Sequence, residues 1–431
     1  MTAIYEIFCR HTVVTTDTRD CPKGSLFFAL RGTSFNGNAF ARTALEQGCA
    51  YAIIDDPQYA DENDPRFILV EDVLVTLQEL AHYHREQLAT PIIQITGTNG
   101  KTTTKELVAV VLSQVHNVLY TQGNLNNHIG VPKTLLRLSK EHDIAVIETG
   151  ANHPGEIELL SKITDPDCGL ITNVGKAHLE GFGSFEGVIR TKGELYEYLR
   201  QKPKGFIFLH GDNPYLCNIA KGLEKICYGA PGENEYAVEG ETLECNPFLT
   251  LRWRIKGKEW NIVKTHLIGS YNVDNALAAV TIGLHFGVSP EQINRALSDY
   301  IPSNNRSEMK ETGKNHLVID AYNANPTSMM AALKNFRDIR ADHKMMILGE
   351  MRELGEASAE EHQRITDFLP ETGCKKIWLV GENFRKACHP YCFFPDIDAI
   401  KEQLKKEPIE GYLILIKGSN GTKLFQLPDY L

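Results

Sequence analysis

No apolar run in this chain approaches the ~20 residues of a membrane span. The opening Met1-Thr2-Ala3-Ile4-Tyr5-Glu6 has neither the basic stretch nor the apolar core of a signal peptide, so a cytoplasmic protein is expected. Positive charge is not in surplus either. The formal net charge is -10, which argues against a nucleic-acid binder that works through a broadly basic surface, while a local basic cleft for phosphates stays open. Ten cysteines lie scattered between Cys9 and Cys392 without the spacing of a disulfide framework, which suits reduced thiols buried as small hydrophobes. Cys388-His389-Pro390-Tyr391-Cys392 has no second Cys/His pair nearby to complete four ligands, and no zinc is assigned. Low-complexity tracts and short repeats are missing as well, which argues against a solenoid.

What is present is length and alternation. At 431 residues the chain exceeds what one core serves, and roughly three domains are expected. From Pro91 onward short apolar runs alternate with helical patterns: Ile144 to Glu148, Gly169 to Val174 and Phe206 to His210 read as strands, Ser184 to Gln201 as a helix. This predicts a parallel sheet wrapped by helices. A second series follows Pro302, with strands at Leu317 to Ala321, Met345 to Leu348, Lys376 to Val380 and Tyr412 to Ile416, and predicts a Rossmann-like domain. Phe248 to Arg254 alternates as an antiparallel strand does and reads as β-rich decoration of the central domain. The expected class is α/β with three domains: a small mixed one at 1–88, a central parallel-sheet one at 89–301 and the Rossmann-like one at 302–431.

Ile92-Ile93-Gln94-Ile95-Thr96-Gly97-Thr98-Asn99-Gly100-Lys101-Thr102-Thr103-Thr104 reads as a buried strand, a glycine-rich turn and a helix start. Such a turn lets backbone N–H groups of Gly97 to Gly100 converge on phosphate oxygens. The helix N-terminus adds its dipole, Lys101 a charge and Thr102 a hydroxyl for Mg2+. Lys101 itself reads as an exposed loop lysine. The general phosphate-loop pattern wants Gly where Ile95 stands, so a shortened Gly97-x-x-Gly100-Lys101-Thr102 turn carries the signal.

Glu148 ends a predicted strand, which places its carboxylate at the carboxyl edge of the sheet beside that turn, where it could hold Mg2+. His178 follows another strand end; a lone His there is more often a loop or core residue than a ligand, and the shared sheet edge raises the functional reading. Lys192, on a predicted helix, would ordinarily be a solvated surface charge.

Taken in order, Gly97 to Thr103, Glu148-Thr149-Gly150-Ala151-Asn152, Asn173 with Ala177-His178-Leu179, and Lys192-Gly193-Glu194 resemble the Mur ligase superfamily. Gly123 to Pro132, Gly150 to Glu156, Asp320 to Met329 and Gly349 to Gly355 are similar to its member that joins D-alanyl-D-alanine to UDP-N-acetylmuramoyl-tripeptide. The resemblance implies an ATP-dependent amide-forming ligase acting through an acyl phosphate; a monomer is expected. It implies Lys101, Glu148, His178 and Lys192 as catalytic residues. Two Mg2+ ions would be held by Thr102, Glu148, His178 and a CO2-derived carbamate on Lys192. ATP contacts would come from Gly97, Thr98, Asn99, Gly100, Lys101, Thr102, Thr103, Asn272, Asn275, Arg306 and Asp320. Substrate contacts would come from Thr18 and Arg19 in a UDP-binding first domain, from Asn126 and Asn127, and from Tyr322, Asn323, Asn325 and Lys417. Asn420-Gly421 stands where many members carry Arg.

Overall fold

The computed structural model describes residues 1–303 and 305–431 and contains three sheets. The first has four strands, Val14–Thr15, Leu26–Phe28, Tyr51–Ile54 and Phe67–Leu69, paired in that order and all parallel. The helix Val73–Glu86 closes it; Asp72 caps this helix by accepting from Val75 N at 2.8 Å, and Leu77, Leu80 and Ala81 are buried in a core that also holds Phe28 and Ile53.

The second sheet has nine strands. Ile92–Thr96 lies at its heart, with Ile144–Glu148 on one side and Cys168–Ile171 on the other, all parallel. From Ile92–Thr96 the chain first builds Val118–Tyr120 and Ile144–Glu148 on one side, then crosses to Cys168–Ile171 on the other. The carboxyl end of Ile92–Thr96 is therefore a topological switch point, where an open α/β sheet leaves a crevice for ligand. All five residues of Ile92–Thr96 and of Ile144–Glu148 are buried, as strands covered by helices on both faces must be. The helices Lys101–Leu112 and Asn272–His285 pack together against this sheet.

Two expectations change here. The stretch Phe248–Ile255 is antiparallel to both neighbours as its alternation predicts and belongs with the central sheet as expected, but as part of that sheet and not as a separate decoration. Together with Val238–Cys245 and Asn261–Ile268 it continues the same sheet to one edge. The reason is packing: Leu249, Leu251 and Trp253 face inward and join the central core, while Arg252 and Arg254 face outward, each 4.4 Å from the ring of Trp260. The strand expected to reach Val174 stops at Ile171, because Thr172 and Asn173 turn away to bond the phosphate loop.

The third sheet has six strands in the order Glu308–Glu311, His316–Asp320, Leu413–Lys417, Lys344–Gly349, Lys376–Val380 and Cys392–Phe394, parallel except for the first. Among the described residues no helix is long and apolar enough to cross a membrane.

Candidate active site

The turn after Ile92–Thr96 is shaped by two glycines. Gly97 has φ 141° and a Cβ there would sit 2.0 Å from Thr172 Oγ1; Gly100 has φ 76° and a Cβ would meet Asn275 Oδ1 at 2.7 Å. Only glycine lets the backbone turn and approach this closely. Asn173 clamps the turn from the next strand: its side chain accepts from Asn99 N at 3.0 Å and donates to Asn99 O at 3.0 Å, while Thr172 Oγ1 donates to Asn99 O at 2.6 Å. The result is a preformed cradle at the start of the helix Lys101–Leu112.

Lys101 is not the exposed loop lysine expected. It is the first residue of that helix, and its ammonium folds back to donate to Gly97 O at 2.8 Å and Thr98 O at 3.0 Å. Burial, with the charge of Arg306 adding and that of Glu148 opposing, lowers its pKa to about 8.

Glu148 is fully buried at the end of its strand. Its Oε1 accepts from Thr102 Oγ1 at 3.1 Å and Asn126 Nδ2 at 2.9 Å, whereas Oε2 has no hydrogen-bond partner. A buried carboxylate oxygen left bare is an open ligand for a hard cation. Lys192 is the residue whose bland reading fails most clearly. It is 2% exposed, its Nζ makes one long hydrogen bond of 3.4 Å to Ala151 O, and it lies 5.3 Å from the ring of Phe182. Burial first, then the charge of Lys101, lowers its pKa to about 7. A neutral amine at that position can take up CO2, and a carbamate would supply the oxygen ligand that an ammonium cannot. Among the described residues no three His, Cys, Asp or Glu side chains gather as a ready metal site, so Glu148 and His178 would need such a third ligand.

These groups meet at a cavity of about 530 Å3 between the second and third sheets. Lys101, Glu148 and His178 are on its wall, with Asn272 and Asn275 from the helix Asn272–His285. Across from them stand Arg306, Asp320, Tyr322, Asn323, Asn325 and Lys417.

The chain matches three family descriptions in sequence: the Mur ligase family catalytic domain at residues 10–85, the Mur ligase middle domain at 95–283 and the Mur ligase glutamate ligase domain at 305–420. The UDP-N-acetylmuramoyl-tripeptide--D-alanyl-D-alanine ligase of Bacillus subtilis is 34% identical over 96% of this chain and 92% of its own length. This chain belongs to the Mur ligase family. The ligase of the same description from Escherichia coli is also 34% identical, over 95% of this chain and 91% of its own. A crystal structure of MurF from Acinetobacter baumannii agrees with TM-score 0.84 at 32% identity, covering 97% of this chain and 92% of that one.

Within this Mur ligase, not every expected residue lies at the cavity. Asn126 and Asn127 do, although Asn126 is bonded to Glu148 and Asn127 Oδ1 accepts from Ile129 N and Gly130 N. Thr102 and Lys192 sit just behind the wall, joined to it through Glu148 and Ala151. Thr18 and Arg19 are in the first sheet's layer, outside the cavity; Arg19 is exposed and paired with Asp17 at 2.6 Å. Lys417 is buried and donates to Asp320 Oδ2 at 2.5 Å, so these two form one polar unit. Asn272 and Asn275 are not helix caps: Asn272 Nδ2 donates to Ile268 O and Asn275 Nδ2 to Asn272 Oδ1, each at 2.8 Å.

The third layer is docked on the second. Asn325 caps the helix Pro326–Asp338 with its Oδ1 and uses Nδ2 to donate to Asn99 Oδ1 at 2.7 Å, reaching the phosphate loop itself. Lys176 pairs with Glu361 at 2.8 Å, and His178 Nδ1 lies directly against Glu353 Oε2. The sequence reading assigned no role to Asn173 or Glu353. Both stand in the quoted motifs, but their partners are remote in the chain, and no local pattern names them.

Proposed function

We propose that this chain is an ATP-dependent ligase that joins D-alanyl-D-alanine to UDP-N-acetylmuramoyl-tripeptide. The observation that carries the reading is the phosphate loop and Glu148, with its bare oxygen, on one cavity wall, and the buried amine of Lys192 directly behind it against Ala151 O. The match to ligases of that description over nearly the whole chain supports the choice of substrates.

The backbone N–H groups around Gly97 to Gly100 receive the triphosphate, and Lys101, still mostly protonated at neutral pH with a pKa of about 8, neutralises charge on the transferring phosphoryl group. Glu148, Thr102, His178 and carboxylated Lys192 would hold Mg2+, which supplies further positive charge to the phosphoryl oxygens. Asn272 and Asn275 face the base, and Arg306 with Asp320 lies toward the nucleotide. The terminal carboxylate of the tripeptide attacks the γ-phosphorus, ADP leaves and an acyl phosphate forms. The amine of the dipeptide then adds to the carbonyl carbon. The tetrahedral intermediate expels phosphate, and the amine loses its proton as the amide forms. Asn126 and Asn127 take the peptide arm, Tyr322, Asn323, Asn325 and Lys417 the acceptor, and Thr18 and Arg19 the distant UDP end. The docked third layer keeps water from the acyl phosphate.

Mass spectrometry of the product from ATP, the UDP-linked tripeptide and D-alanyl-D-alanine tests this directly. Appearance of the pentapeptide precursor with equimolar ADP is expected. Phosphate release that responds to a single amino acid and not to the dipeptide would instead identify a sister ligase with another acceptor. ATP turnover indifferent to every peptide would leave a nucleotide-gated binding protein.

A further inference from the structure

We propose that Glu353 is a positioning residue for His178, setting the imidazole when the third layer docks and leaving Nε2 as the nitrogen that serves the phosphoryl site. Glu353 belongs to the third layer, in the loop after the strand Lys344–Gly349, and His178 to the second, in the loop after Cys168–Ile171. Nδ1 of His178 is shut off from solvent and makes no aligned hydrogen bond; the group against it is the carboxylate of Glu353. A carboxylate only accepts, so Nδ1 carries a proton, and in the neutral imidazole this leaves the lone pair on Nε2.

Backbone geometry points the same way. Six described residues other than glycine have positive φ, and two of them are His178 at 49° and Glu353 at 62°, facing each other across the layers. Left-handed backbone at a non-glycine residue costs free energy and persists where surrounding contacts hold it, commonly at working sites. The contacts are present: Glu180 N donates to Glu353 O at 3.4 Å, and a Cβ on Gly355 would lie 3.5 Å from Glu180 Cβ, so the two loops touch along their backbones. The Glu353 side chain is 54% exposed. A polar contact that open contributes little to stability, so its consequence is orientation. A ligating histidine whose second nitrogen is held by a carboxylate is fixed in tautomer and ring plane. Here that carboxylate arrives from the other layer, which makes the ring ready only in the docked enzyme.

The inference rests on the reading of His178 given above, and the test separates the two. The enzyme, labelled with 15N-histidine and saturated with ADP and the UDP-linked tripeptide, is examined by two-bond 15N–1H correlation, His178 being identified by its loss in His178→Asn. The Nδ1–H form is expected in the wild type and a mixture of tautomers in Glu353→Ala. Removing such a carboxylate partner typically costs about 10–100-fold, here expected in kcat, with Glu353→Gln losing less. KM for ATP and the dipeptide should stay within about twofold. Lys176→Met cuts another tie between the same layers without touching His178 and should leave the tautomer and most of kcat in place. Wild-type kcat in Glu353→Ala, an unchanged tautomer there, or the same kcat loss in Lys176→Met would each overturn the proposal. Full activity in His178→Asn would instead overturn the reading of the site itself.

Discussion

Lys101 is half-buried and Lys192 fully buried, and their surroundings separate their chemistry. Lys101 is satisfied by two loop carbonyls and keeps its charge at neutral pH, whereas Lys192, with one long hydrogen bond and a pKa of about 7, has lost much of its charge. Replacing Lys101 by Ala removes the donor to Gly97 O and Thr98 O, a net loss of about 1 kcal/mol, so the fold should survive. Ligation should fall by at least ~1000-fold. Near-normal turnover would remove this turn from phosphate binding. For Lys192 the sign of the pH effect follows from the neutral amine that carboxylation needs. The amine is protonated below about pH 7 and free above it. Enzyme stripped of CO2 should therefore regain activity faster at pH 8 than at pH 6 when dissolved CO2 is held equal, and a stopped assay over minutes would read this. Lys192→Ala should be nearly inactive and regain some rate with acetate or formate. The charge of Lys101 was visible in the sequence but its folding back onto the loop was not, since the carbonyls that hold it belong to a turn whose shape depends on Thr172 and Asn173.

At the level of elements, the phosphate turn is held in place by what lies beside it in the sheet and not by its own residues alone. Gly97→Ala would force a Cβ to within 2.0 Å of Thr172 Oγ1 at φ 141°. A destabilisation of about 1–3 kcal/mol in denaturant unfolding is expected, together with loss of nucleotide binding by calorimetry. An Ala variant as stable and as tight as the wild type would show that the turn relaxes freely. Asn173→Ala removes both bonds to Asn99 and should raise KM for ATP more than KM for the dipeptide. The strands Ile144–Glu148, Phe206–His210 and Lys376–Val380 match the reading residue for residue, because buried parallel strands are short apolar runs with clear ends. The reading of Gly169 to Val174 runs past the strand for the same reason inverted: Thr172 and Val174 have strand-forming side chains, and only the neighbouring turn draws this segment out of the sheet. Likewise nothing in Phe248 to Arg254 says which sheet it extends; that is decided by Trp253 finding the central core.

For the whole molecule, the reading of three domains reached the layers but not how they meet. Lys176 with Glu361 and Asn99 with Asn325 are pairings about 200 residues apart, and a single sequence carries no periodicity that would announce them. Asn325→Ser keeps a helix cap but cannot reach Asn99. Thermal stability should hold, whereas small-angle scattering of the nucleotide-bound enzyme should report a larger radius of gyration, and phosphate release without dipeptide should rise. Unchanged scattering and unchanged coupling would mean that this contact does not hold the layers together. The shared wall also bears on inhibition. Asn99 stands on the phosphate loop and Asn325 on the third layer, so part of the cavity lining exists only while the two surfaces touch. A compound selected against the separated form would meet an incomplete pocket, and one that grips both amides would act as glue, trapping the enzyme with its layers joined.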